Sequence, residues 1–134
     1  MNSNNEDCTV RAMTNDGAFR VMTVRSSQTV QRVIDAQGIE GYAATIFGQL
    51  LTGAVLVRET MAPGLQVQCI LASQRAGQLI ADSLPGGITR GLVQLKDGNK
   101  FEINEDDTAL LVTRALPNGE LHKGIVVTRE NSSV

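Results

Sequence analysis

The most apolar stretch of the chain spans residues 41–61 and carries no charged side chain before Arg58. Its uncharged part, residues 41–57, is shorter than the roughly 20 residues that a bilayer-spanning helix needs, and polar residues such as Gln49 interrupt it. A helix that is apolar on nearly every side is typical of one buried between layers of a protein. The pattern therefore predicts a buried central helix and argues against a membrane span.

Small residues recur at every fourth position on this helix, at Ala44, Gly48 and Thr52. They would form one ridge along which another backbone could approach closely. Such an approach would offset the cost of an interior glycine, which is about 1 kcal/mol relative to alanine. Pro63 and Gly64 predict the end of the element.

A hairpin is predicted near the start of the chain. Residues 8–14 and 18–24 alternate loosely between apolar and polar side chains on either side of Asn15-Asp16-Gly17. An Asp-Gly pair tolerates the positive φ angles of a tight turn, so these residues favour two antiparallel strands.

A short amphipathic helix is predicted between the hairpin and the central helix. Ser26 or Ser27 offers a hydroxyl group for its N-cap, and Gly38 is a natural C-terminal stop. Three apolar residues follow the cap at helical spacing: Val30, Val33 and Ile34.

Strands and turns are predicted for the remainder of the chain. Residues 65–71 place Val67, Cys69 and Leu71 on one face, and further strands are predicted at 78–82, 88–95, 100–103, 108–116 and 120–128. Turn-forming residues at 85–87, 96–99 and 117–119 separate them. Consecutive strands joined by short turns pair antiparallel. The predicted class is therefore α+β, with a meander-like antiparallel sheet packed on the buried central helix, and the short amphipathic helix beside it.

Length and composition indicate one globular domain. The chain has 134 residues, of which 42% are hydrophobic and 19% are charged. We assign residues 1–7 to a polar N-terminal tail and residues 8–134 to a single domain, because no linker or internal repeat divides the rest.

The charge balance and the scarcity of aromatic side chains argue against nucleic acid as a partner. Twelve Lys and Arg residues against fourteen Asp and Glu residues give a net charge of −2, and the basic residues are spaced rather than clustered. Aromatic residues make up only 3% of the chain, too few for a base-stacking platform. No basic segment followed by an apolar one marks a secretory signal, and two widely separated cysteines favour a reducing cytoplasm.

Candidate chemical groups are few, and each has a plainer structural interpretation. His122, the one histidine, has no visible partner for catalysis or metal binding and is predicted to be a solvent-facing strand residue. Cys69 lies on the apolar face of its strand and is predicted to be a small core residue. Cys8 is expected to be more exposed. We therefore predict no catalytic, cofactor-binding or metal-ligating residue and no enzymatic activity.

Two charged groupings also favour structural roles. The acidic run Glu102, Asn104, Glu105, Asp106 and Asp107 lacks the alternating ligand pattern of a calcium loop and is predicted to be a solvated loop. A second grouping combines Arg58-Glu59 with Asp82, Thr89 and Arg90. Ion pairs that fix packing are the favoured interpretation of the second grouping, and a polar recognition patch is the alternative.

The chain resembles the 33-kilodalton heat-shock family of redox-regulated chaperones. The resemblance is strongest in LLTGAVLVRETMAPGLQVQCIL and continues in GQLIADS and TRGLVQL. It also covers RAMTNDGAFRVMTVR, the helix TVQRVIDAQG and the later hairpin NGELHKGIVVTRE. It therefore extends over nearly the whole chain.

The resemblance implies a cytoplasmic holdase that captures unfolding client proteins and tends to dimerise. It also implies a C-terminal domain in which four cysteines bind zinc as C-x-C and C-x-x-C and act as a thiol switch. Neither Cys8 nor Cys69 matches those motifs. From the sequence alone, which ends at Val134, we expect the N-terminal domain without the zinc domain, and no cofactor.

Our leading functional hypothesis is a holdase domain that binds unfolded proteins through exposed apolar surface, without the redox switch. The alternative is a structural or oligomerisation module that has lost chaperone activity. A homodimer is expected in either case. A small enzyme using His122 or Cys8 ranks last.

Overall fold

The computed structural model describes residues 6–98, 100–104 and 106–127. Within them the chain forms seven strands and two α-helices, which confirms the predicted α+β class. In chain order these are β1 (Cys8–Met13), β2 (Arg20–Arg25), α1 (Ser27–Gln37), α2 (Gly41–Glu59), β3 (Val67–Ser73), β4 (Gly77–Leu84), β5 (Ile88–Leu95), β6 (Thr108–Ala115) and β7 (Leu121–Val127).

The predicted hairpin is confirmed. Strands β1 and β2 pair antiparallel as a separate two-stranded sheet. In the turn, Gly17 adopts a φ of 72°, and Asp16 Oδ1 accepts hydrogen bonds from the Thr14 hydroxyl at 2.6 Å and the Ala18 N–H at 3.0 Å. The short polar side chain of aspartate thus holds the backbone in the turn.

The N-terminus of α1 is capped differently from the prediction. Ser26 occupies the N-cap position, but its side chain makes no capping bond and instead lies 2.7 Å from the Thr52 hydroxyl of α2. Asp7 caps the helix from a distant part of the sequence, accepting from the N–H groups of Gln28 at 3.0 Å and Thr29 at 2.6 Å. Partial burial raises the pKa of Asp7, but these hydrogen bonds outweigh it and the net pKa is lowered.

Helix α1 packs on the ridge of small residues of α2, as the spacing predicts. A side chain added at Gly48 would place its Cβ only 3.0 Å from Cγ1 of Val30, so glycine is what allows the two helices to come this close. At the other end of α1, Gly38 adopts the left-handed conformation, with a φ of 63°, and its N–H bonds back to Ile34. The predicted helix stop is therefore confirmed.

The larger sheet has five antiparallel strands in the order β5-β4-β3-β6-β7. The predicted meander is correct for β3, β4 and β5 and for the β6–β7 pair, but β6 lies beside β3 and not beside β5. The predicted strand at 100–103 is wrong, because residues 100–104 are irregular. They belong to the connection between β5 and β6. Phe101 of this connection is buried in the core, and Ile103 packs against the core.

Helix α2 is the packing centre of the fold, as predicted. It lies against β3 and β4, and α1 and β2 also contact it. The buried core is almost wholly aliphatic and consists of Ile39, Ala43, Ile46, Phe47, Leu50, Leu51, Ala54, Val67, Cys69, Leu71, Leu79, Ala81 and Phe101. Neither described helix is both long and apolar enough to cross a membrane.

Parts of several predictions lie outside the described residues. These are residues 1–5 of the predicted tail, Asn99 of the predicted turn at 96–99, Glu105 of the acidic run, and residues 128–134, which begin with Thr128 of the last predicted strand. The division into a tail at 1–7 and a domain at 8–134 stays a prediction.

Candidate functional site

The face of the large sheet that points away from α1 and α2 carries a continuous row of aliphatic side chains. Backbone pairing places Leu92 opposite Ile80, Ile80 opposite Ile70, Ile70 opposite Leu111, and Leu111 opposite Ile125. The row therefore crosses all five strands. We call these five residues the apolar row and the surface that carries them the helix-free face.

The apolar row is accessible to solvent along its length. Its ends are the most open, with Ile125 exposed at 68% and Leu92 at 44%. Ile70, Ile80 and Leu111 are half-buried, because strands on both sides shield them. A contiguous apolar strip of this kind is typical of a surface that binds another polypeptide.

A polar row borders the apolar row on one side. It runs Arg90, Asp82, Gln68, Thr113 and Lys123 across the same five strands. The Arg90 guanidinium lies 3.2 Å from the Asp82 carboxylate and forms an ion pair. The face is thus amphipathic, with a charged margin beside an aliphatic strip.

The row on the other side of the apolar row is less polar and begins with two hydrogen-bonded glutamines. Gln78 donates from Nε2 to Oε1 of the neighbouring Gln94. Beyond them the row continues with Ala72, Ala109 and Val127, and Val127 is 64% exposed.

The four charged members of the second grouping form ion pairs, as the favoured interpretation predicts, and the polar recognition patch stays an untested alternative. Arg90 pairs with Asp82 on the helix-free face, whereas Glu59 pairs with Arg58 and with Arg11 of the hairpin. The pair between Arg11 and Glu59 joins the C-terminal end of α2 to β1.

The three candidate reactive residues lie where the sequence predicts them. His122 is exposed on β7, where it stands opposite Arg114, and Cys8 is exposed on β1. Cys69 is buried in β3 beneath α2, and burial, with a smaller contribution from Asp82, raises the pKa of its thiol to about 11. A thiol with so high a pKa stays protonated at neutral pH and is a poor nucleophile.

In the acidic run, Asp107 is a turn residue with a structural role. Its carboxylate accepts hydrogen bonds from the hydroxyl of Ser73 and from the N–H groups of Gln74, at 2.9 Å, and Arg75, at 3.2 Å. The bond from Ser73 is the main cause that holds the pKa of Asp107 below its ordinary value, with the two backbone bonds adding to it. Asp107 thereby fixes the turn between β3 and β4.

The residues present do not fit a zinc site of four thiolates. Metal binding requires deprotonated cysteine, and the raised pKa of Cys69 opposes that form. Cys8 lies on the hairpin sheet, outside the five-stranded sheet that holds Cys69. Within the described part of the chain, no group of three or more His, Cys, Asp or Glu side chains is arranged to hold a metal ion.

A groove of about 770 Å³ lies between α1 and α2. Its walls include Val30, Ile34, Ala44 and Leu56. Among the residues that line it, Glu40 alone has a titratable side chain. A single exposed carboxylate has no partner there to act as an acid, a base or an orienting group. The groove therefore has no arrangement suited to catalysis.

Comparison with known proteins identifies the family of this chain, a family of non-enzymatic chaperones. The family described as Hsp33 protein matches residues 7–132. The chain therefore belongs to the Hsp33 family, which confirms the resemblance to the 33-kilodalton heat-shock family. No curated protein matches the chain.

A solved structure shows the same fold. The 33 kDa chaperonin (heat shock protein 33 homolog) of Thermotoga maritima superposes with a TM-score of 0.70 at 19% sequence identity. The match covers 89% of this chain but 44% of that protein. The chain thus spans less than half the length of this solved relative.

Proposed function

We propose that this chain is a holdase domain that binds unfolded polypeptide on the helix-free face of its sheet. The observation that carries the proposal is the apolar row, which crosses all five strands without a charged interruption. Unfolding proteins expose aliphatic segments, and these gain free energy by covering such a strip. The charged margin at Arg90 and Lys123 keeps the face soluble while it is empty.

The two open ends of the apolar row contribute most to the expected affinity. Full burial of a leucine or isoleucine side chain contributes about 1.5–3 kcal/mol. Ile125 and Leu92 are 68% and 44% exposed, so covering them completes only part of that burial. Together they would contribute about 2 kcal/mol, which corresponds to roughly a thirtyfold change in affinity.

The proposal includes no thiol switch among these residues. Cys69 is a buried core thiol, and Cys8 is a lone exposed thiol on the hairpin. A switch of the family type needs paired cysteines that exchange zinc for disulfides, and these two residues do not supply it. Two free thiols accord with a reducing cytoplasm, which we include in the proposal.

The test is suppression of aggregation. A client protein is unfolded by heat with and without a several-fold excess of the chain, and light scattering is recorded. We expect the native chain to suppress scattering and the double variant Leu92→Ser/Ile125→Ser to lose most of that effect. Both side chains are exposed, so the substitutions leave the core intact.

The matched control is Val126→Ser. Val126 is 59% exposed on the same strand as Ile125 but lies on the opposite face of the sheet. We expect this variant to protect the client as well as the native chain does. Equal loss in both variants would show that protection does not depend on the helix-free face, and absence of suppression by the native chain would refute the holdase proposal.

A structural or oligomerisation module is the second candidate function, and the same apolar row favours it. Two copies could pack their helix-free faces together, because aligned sheets bury aliphatic rows efficiently. This alternative predicts a homodimer in sedimentation and no binding of a hydrophobic-surface dye. The holdase proposal predicts dye binding that an unfolded client displaces.

A further inference from the structure

Strand β7 is an edge strand with an accessible outer side. It pairs with β6 on one side, and no strand of the described residues pairs with it on the other. All seven of its residues are exposed. An edge of this kind offers free backbone N–H and C=O groups to an extended polypeptide.

A cavity of about 450 Å³ adjoins this edge on the side of the sheet that faces α2. Val57 of α2 and Val112 of β6 supply its apolar walls. Gly124 of β7 opens it, since a Cβ added at Gly124 would meet no atom within 4 Å. A side chain from a neighbouring strand could therefore lean over Gly124 towards the two valines.

Basic side chains surround the same cavity. Arg114 and His122 stand opposite each other across β6 and β7, two residues from the Val112–Gly124 pair and on the same face of the sheet. Within the described part of the chain, Arg114 forms no ion pair. The cavity thus joins an apolar pocket to an unneutralised basic rim.

We propose that β7 binds an extended polypeptide segment as an added antiparallel strand, and that the cavity selects an apolar residue followed two positions later by Asp or Glu. In an antiparallel pairing, the segment residue opposite Gly124 and the residue two positions later, opposite His122, project to the same face. The first enters the space between Val57 and Val112. The carboxylate of the second reaches Arg114, whose planar guanidinium suits bidentate pairing.

This site is distinct from the helix-free face and does not depend on the holdase proposal. The apolar row would bind many client sequences, whereas the β7 site would select a polypeptide by the spacing and the charge of its side chains. Pairing along β7 also leaves the apolar row uncovered, so both kinds of binding can occur on one chain.

The test is peptide binding by fluorescence anisotropy with the full chain. One labelled peptide carries Ile-Thr-Asp within a soluble strand-forming sequence, and the matched peptide carries Ile-Thr-Lys. A titration to about 1 mM detects dissociation constants as weak as about 1 mM. We expect the aspartate peptide to bind at least about tenfold more tightly, as expected for a charge-assisted hydrogen bond.

Two variants separate the pocket from the rim. Arg114→Gln should remove most of the preference for the aspartate peptide. Gly124→Val should weaken both peptides about tenfold by filling the cavity, and because Gly124 has open space, the thermal melt should show that this variant folds. Val10→Ser alters an exposed residue of the hairpin sheet, outside both proposed sites, and should leave both affinities unchanged. N-methylation of the peptide amides that face β7 should abolish binding.

Equal affinity for the two peptides, or tight binding that survives Gly124→Val in a folded chain, would overturn the proposal. Self-association that excludes the peptide from β7, detected by sedimentation of the same samples, would also overturn it and assign the edge to a second copy. Peptide selectivity without client protection would refute the holdase proposal alone. Client protection without peptide selectivity would refute the β7 site alone.

Discussion

Substitution of Gly91 by alanine tests how closely the helices pack on the large sheet. Gly91 lies on β5 beneath both helices. A Cβ added there would lie 2.5 Å from Cζ of Phe47, 2.9 Å from Cγ1 of Val33 and 3.1 Å from Cδ2 of Leu51. Carbon atoms pack best at about 3.5–4.0 Å, so the Phe47 ring would have to move by about 1 Å. Phe47 and Leu51 are fully buried and have little room to yield.

The cost follows from overpacking a dense core. One extra methyl group in such a site costs about 1–3 kcal/mol. For a domain of this size we expect Gly91→Ala to lower the Tm by about 5–10 °C. Thermal and urea unfolding followed by circular dichroism measure the loss.

Gly124→Ala is the matched control. It lies on β7 in the same sheet, its φ is not in the left-handed region, and a Cβ there meets nothing within 4 Å. We expect it to be neutral or to stabilise by up to about 1 kcal/mol, because alanine restricts the unfolded chain more than glycine does. If Gly91→Ala were as stable as Gly124→Ala, the packing of α2 on β5 described above would be wrong.

A double-mutant cycle with Phe47→Leu identifies the clashing partner. Leucine lacks the Cζ atom that approaches Gly91 most closely, so the two substitutions should be less destabilising together than the sum of their separate effects. A coupling of about 0.5–3 kcal/mol is expected for residues in contact. Strict additivity would place the clash elsewhere.

Three further predictions concern titratable residues. One thiol per folded chain should react with a disulfide reagent at about pH 8, and two should react after denaturation. Cys8 is exposed, whereas burial raises the pKa of the Cys69 thiol to about 11. Rapid reaction of both thiols in the folded chain would contradict the burial of Cys69. Asp7→Ala should destabilise the fold by about 1 kcal/mol in urea unfolding, since Asp7 caps α1, and an unchanged midpoint would remove that role. The lowered pKa of Asp107 means that its carboxylate stabilises the fold above its ordinary pKa of 3.8 and that this contribution is lost as pH falls through the lower folded value. The stability difference between the native chain and Asp107→Asn should therefore be constant above about pH 5 and shrink on acidification, and a difference that grew on acidification would reverse the assigned sign.

Local features of the fold could be predicted because nearby residues encode them. The turn at Asp16-Gly17, the helix stop at Gly38 and the buried central helix all follow from short-range patterns. The cap of α1 could not be found in this way. Ser26 has the right side chain at the right position, but its hydroxyl lies beside Thr52, and Asp7 reaches the helix only after the chain has folded.

Strand order depends on long-range pairing, which local patterns do not contain. Phe101 and Ile103 alternate with polar residues as strand residues do, but they anchor an irregular connection to the core. The connection that precedes β6 places this strand beside β3. Its alternating sequence resembles that of one more strand in a meander. For this reason the prediction erred at residues 100–103.

The apolar row was missed for a related reason. Strand β3 carries apolar residues on both faces, so Ile70 follows Cys69 without a clear alternation. Ile80, Leu92, Leu111 and Ile125 become neighbours only through the register of four strand pairs. The one feature of the sequence that could have indicated the row is an isoleucine or leucine in each strand at a position that faces away from the helices.

Photo-crosslinking tests the central proposal, client binding on the helix-free face, most directly. A photoreactive side chain is placed at Ile125 in one variant and at Tyr42 of α2 in another. Both residues are large and well exposed, at 68% and 57%, but Tyr42 lies on a helix, away from the apolar row. Irradiation with a heat-unfolded client should give adducts from position 125 and few from position 42. Equal yields, or a higher yield from position 42, would contradict the assignment of client binding to this face.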